Sequence, residues 1–125
     1  MSADLTEGAR SAVTVEEECA VLRAAVCETI QDAAQRLPLI DIIIAVRSGR
    51  APRPVLLGVV AALVPEGWSF IGARDHDTLN AYGNAFHPSI NEGRDPADMV
   101  CSGDCHRGHT PALALLIAIR EASNG

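Results

Sequence analysis

The sequence predicts an α+β domain: a long N-terminal helix and a second helix, a small antiparallel sheet, and a buried C-terminal helix. Three observations predict it. Apolar residues between Val15 and Leu37 recur at steps of three and four, which is the helical period. From Trp68 onward the chain breaks into short strand-like segments separated by turn residues. The closing run, Thr110–Ala122, is apolar nearly all round and opens on Thr-Pro. Helices, then strands, then a helix favours α+β over a parallel βαβ sheet.

Residues 1–13 are small and polar without a clear period and read as a flexible tail, leaving 14–125 as a single domain. The first helix is expected from Val15 to about Leu37, with Val15, Cys19, Leu22, Val26, Ile30, Ala33 and Leu37 on one face. Thr14 and Glu17 form a capping box, and Glu16, Glu17 and Glu18 sit where the helix dipole favours acids. Pro38 marks the stop. The apolar face reads first as core packing and second as a coiled-coil or dimer seam. Leu39–Val46 (LIDIIIAV) suits either a strand or a helix, because so short an apolar run declares no period. A Gly- and Pro-rich loop carrying Arg47, Arg50 and Arg53 leads to a helix over Val55–Val64, ended by Pro65-Glu66-Gly67. Strands are expected at Trp68–Ala73, Leu79–Phe86 and Asp98–Cys101, joined by Asp75-His76-Asp77 and Pro88–Pro96.

At 125 residues with 48% apolar content the chain is long enough for one core, and with aromatics at 3% that core must be aliphatic. The net charge is −6 and all ten basic residues are arginine, a balance that makes nucleic acid an unlikely partner. No secretory signal or membrane span is visible, so the expected location is the cytoplasm of the host cell with the four cysteines reduced. Cys19 and Cys27 lie ~12 Å apart along one helix, too far to bridge.

Two stretches, Ala61–Phe70 (AALVPEGWSF) and Thr110–Ala122 (TPALALLIAIREA), resemble a group of uncharacterised short proteins of bacteriophages and prophages. The resemblance implies a phage accessory protein with no catalytic residue among the shared ones. By analogy with small phage proteins the leading expectation is a non-catalytic protein that binds a host protein, with a homo-oligomer as an open alternative to a monomer. A looser likeness, in topology only, is to the HicB-type antitoxin domain, whose helix follows three strands; here Cys105–His109 separate Gly103-Asp104 from Thr110-Pro111.

Two constellations are candidate sites. Arg47, Arg50 and Arg53, spaced by three in a loop, could clamp the phosphate or carboxylate of a small anionic or nucleotide-like ligand, or simply face solvent. Cys101, Cys105 and His109 offer the thiolates and imidazole that zinc prefers, with His87 or solvent as the fourth group, although the spacing matches no common finger or ribbon. The pair Cys105-His106 and the turn Asp75-His76-Asp77 are weaker candidates for chemistry. Phosphate-loop, dinucleotide, nucleophile-elbow and HExxH patterns are absent from the sequence, and no catalytic residue is assigned.

Overall fold

The computed structural model describes residues 2–74, 80–86 and 106–124. Its elements are helices α1 (Ser2–Ser11), α2 (Val15–Thr29), α3 (Ala33–Arg47) and α4 (Leu56–Ala61), then strands β1 (Ser69–Arg74), β2 (Ala81–Phe86) and β3 (His106–Gly108), and last helix α5 (Pro111–Asn124). A 3₁₀ turn over Arg53–Val55 leads into α4. The strands form one antiparallel sheet in the order β1-β2-β3, with Gly72 opposite Gly83 and Ala81 opposite Gly108. The α+β class is as expected.

The stretch expected as a flexible tail contains a helix. Leu5, Ala9 and Ala12, spaced by four and three, are buried in the common core, and α1 packs on α5 and α2. Its alanine- and serine-rich composition hid that stripe.

The long first helix is two helices. The chain turns at Ile30, whose backbone is extended, and restarts at Asp32, whose side chain accepts the Ala34 N–H at 3.0 Å. Arg36 ties the corner by donating to the carbonyls of Ile30 and Gln31. Pro38, expected as a terminator, sits inside α3. Its ring removes the bond to the Ala34 carbonyl, but Ala34 and Pro38 both face solvent, so water can take that carbonyl. Leu39–Val46 is helical, which resolves the ambiguity; only Ile43 and Val46 of α3 are buried. Of the expected seam, Cys19, Leu22 and Val26 are buried, whereas Leu37 is 61% exposed.

The Pro65-Glu66-Gly67 turn closes with the Trp68 N–H donating to the Pro65 carbonyl at 3.0 Å. Gly67 has φ +85°, the left-handed conformation that a type II turn requires at its third position. Sequence placed β1 and β2 within two residues of their observed bounds. The third strand observed is β3; the expected one at Asp98–Cys101 lies outside the described residues.

Helix α5 is the centre of the molecule. Every residue from Ala112 to Ile119 is buried, as its all-round apolar composition predicts. It lies across the sheet and is covered on its other sides by α1 and α4. A Cβ on Gly83 would stand 2.5 Å from the Leu115 nitrogen and 2.6 Å from the Ala114 carbonyl carbon. Backbone therefore rests directly on backbone, a distance only glycine permits.

Candidate functional site

Three starting points of structure meet at one buried carboxylate. Thr14 caps α2 through the expected capping box: its hydroxyl accepts the Glu17 N–H at 3.1 Å, and Glu17 accepts the Thr14 N–H at 2.9 Å. Four residues into that helix Glu18 turns inward, on the same stripe as Val15, Cys19 and Leu22. It is fully buried, while Glu16 and Glu17 stay exposed.

Two donors satisfy Glu18. The Arg53 Nε–H reaches Oε1 at 2.5 Å, and the Thr110 hydroxyl donates to Oε2 at 2.5 Å. Thr110 is also the cap of α5, its oxygen accepting the Leu113 N–H at 3.2 Å. Arg53 is fixed from the other end, since its Nη2 donates to the Val13 carbonyl at 2.8 Å. The α2 and α5 N-termini carry partial positive charge and Arg53 a full one, so the buried anion lies among three favourable partners. The node joins three segments distant in sequence. A buried pair of this kind contributes little net stability over an apolar replacement, but removing one partner is costly because the other charge is left uncompensated.

Cys19 stands beside Glu18 and its thiol donates weakly to the Ile43 carbonyl at 3.8 Å. Burial pushes the thiol pKa up, and the neighbouring Glu18 charge adds to this; Arg47 and Arg53 pull weakly the other way.

A cavity of about 330 Å³ opens against the node. Glu18, Arg53 and Thr110 form its polar side, and Pro54, Leu57, Pro111 and Ala112 supply apolar walls. Arg74, exposed at the end of β1, completes the lining and donates to the His109 carbonyl at 3.3 Å. The volume lies at the small end of the ~300–1,000 Å³ range of ligand pockets.

The structure separates the arginines that sequence grouped together. Arg53 enters the cavity. Arg47 is exposed in the last turn of α3, where its charge suits the dipole, and Arg50 is exposed and folds back to donate to Ser48 Oγ at 2.9 Å. The second arginine in the cavity is Arg74, from a different element. Of the zinc candidates, His109 is exposed just before α5, whereas Cys101 and Cys105 lie outside the described residues, as do His87 and Asp75-His76-Asp77. Among the described residues no group of three His, Cys, Asp or Glu side chains could hold a metal ion, and no helix is long and apolar enough to cross a membrane.

Sequence reasoning missed Glu18 as a site residue by treating it with Glu16 and Glu17. The signal was present: an acid at position 18 lies within the helical stripe of Val15, Cys19 and Leu22, and a carboxylate there needs a buried partner. Comparison with protein families, curated proteins and solved structures finds no match to this chain.

Proposed function

We propose that this protein is a non-catalytic binding module that holds a small anionic ligand in the cavity beside the Glu18–Arg53–Thr110 node. One observation carries the reading: a 330 Å³ cavity with apolar walls has a guanidinium, held in place from both ends, in its lining. Ligand pockets are typically apolar concavities with a few fixed polar groups, and here the fixed groups are already oriented. The cavity lies where α2, the 3₁₀ turn and α5 converge, so a bound molecule would touch all three.

Native mass spectrometry of the gently purified protein tests this. A small-molecule adduct that disappears when Leu57→Trp fills the cavity is the expected result. An adduct that survives this substitution would place the ligand elsewhere, and a bare mass would count against the reading.

A second reading is docking onto a host protein, as the likeness of LVPEGW and TPALAL to phage proteins suggests. Helix α3 favours it, because Leu37 and Ile44, two turns apart on one face, are exposed by 61% and 44%, and Ile42 by 36%. Exposed aliphatic residues sharing a helix face are the kind of surface that a partner covers. Under this reading, a host protein retained by the natural chain is lost on Leu37→Asp with Ile44→Asp, and retention by the double variant would contradict it.

A further inference from the structure

We infer that the cavity selects a small monocarboxylic acid with a compact apolar body, recognised by the remaining N–H donors of the Arg53 guanidinium. The inference rests on reading the cavity as a ligand site and adds the ligand's chemical class.

Donor bookkeeping at Arg53 is the starting point. A guanidinium has five N–H donors. The Nε–H is engaged by Glu18, and one Nη2 hydrogen by the Val13 carbonyl. The remaining Nη hydrogens belong to a residue that lines the cavity and keeps 28% of its side chain exposed. Guanidinium N–H groups make strong charge-assisted hydrogen bonds to carboxylate oxygens.

The start of α5 adds to this. A helix leaves its first amides without intrahelical acceptors. Pro111 has no N–H, and the Leu113 N–H is taken by Thr110. Ala112, the second residue of that turn, lies on the cavity lining.

Charge sets the upper limit on the anion. Glu18 already places one full negative charge against the same guanidinium and is fully buried. The lining also carries Arg53 and Arg74, so its charged side chains leave one net positive charge, which a monoanion neutralises and a phosphate dianion or nucleotide exceeds. A carboxylate brings one.

The walls define the rest of the ligand. Pro54, Leu57 and Pro111 are apolar and suit a ligand whose body is a short aliphatic chain or a single ring.

Isothermal titration of the full chain with sodium benzoate, sodium hexanoate, benzamide, inorganic phosphate and adenosine monophosphate tests the inference, alongside Arg53→Lys and Leu57→Trp. Arg53→Lys keeps a cation opposite Glu18 and removes the planar fork; Leu57→Trp leaves the node untouched and fills the cavity. Benzoate or hexanoate is expected to bind, benzamide at least about tenfold more weakly, and each substitution to lower carboxylate affinity by roughly tenfold or more, the loss typical of a charge-assisted fork or a filled pocket. Melting curves of the ligand-free variants verify folding, and if Arg53→Lys does not fold, Leu57→Trp alone carries the test. Equal affinity for benzamide and benzoate would overturn the role given to Arg53. Tighter binding of phosphate or the nucleotide would overturn the ligand class while leaving the cavity a binding site. No heat from any probe at millimolar concentration would overturn the inference, and the native mass then decides the broader reading separately.

Discussion

Removing Arg53 should destabilise the protein more than removing Glu18, although the two share one ion pair. The Glu18 side chain is 0% exposed and that of Arg53 is 28% exposed. Arg53→Gln leaves a carboxylate sealed in the interior with only the Thr110 hydroxyl to face it. Breaking a buried pair in this direction costs about 3–5 kcal/mol. Glu18→Gln leaves a guanidinium that still reaches solvent and still donates to the Val13 carbonyl. Its loss is close to one charge-assisted hydrogen bond, about 2 kcal/mol. The double variant removes both charges and should cost less than the sum by about 2 kcal/mol, the coupling of directly bonded groups. Urea denaturation is the assay. With a slope of ~2 kcal/mol per molar, ordinary for a domain of this size, Arg53→Gln should move the midpoint by ~2 M and Glu18→Gln by ~1 M. Equal shifts, or a larger shift for Glu18→Gln, would refute the reasoning, because they would mean that the buried anion does not depend on Arg53.

Thr110→Val removes both the cap of α5 and a donor to Glu18 and should cost about 2–3 kcal/mol, while Thr110→Ser keeps both bonds and should stay within ~1 kcal/mol in the same assay. Gly83→Ala should cost about 3 kcal/mol or prevent folding, because the new methyl meets α5 backbone at 2.5 Å, whereas Gly58→Ala in α4 meets nothing within 4 Å and should stabilise by about 0.5–1 kcal/mol in thermal melts. The Thr14 and Val13 N–H groups donate to Glu17 and hold its pKa below the usual carboxylate range, so its contribution is present above the unfolded pKa and fades as pH falls through the folded one; Glu17→Gln, which can keep the cap, should flatten that acid limb of a stability–pH curve. Brief iodoacetamide treatment followed by peptide mapping should modify exposed Cys27 and spare Cys19, whose thiol is buried and pushed up in pKa; rapid labelling of Cys19 would contradict its placement.

The elements were legible where a signal local in sequence marks them. The capping box at Thr14–Glu17, the Pro65–Gly67 turn and the Thr110-Pro111 start of α5 depend on neighbours in sequence, and each appears where the residues place it. The division of the first helix was missed because Pro38 was taken as the breaker. An exposed carbonyl tolerates that proline, and the working signal was Asp32, a good cap lying between two apolar stripes. α1 was missed because Ala9 and Ala12 bury little area each and announce no amphipathic face. The site was legible only in part. Arg53 was among the candidates, but nothing local separates it from Arg47 and Arg50; its role comes from Glu18, 35 residues earlier. Arg74 and Thr110 join it only through the sheet and the placement of α5. Pairings across such distances carry no periodicity, so spacing alone could not assemble the cavity.

The Nε–Hε resonance of Arg53, followed by heteronuclear NMR while benzoate is added, tests the central claim most directly. A saturable shift at Arg53, with Arg47 and Arg50 unmoved, is the predicted result. A resonance that stays fixed while the exposed arginines shift would contradict it, and would return the search to the outer face of α3.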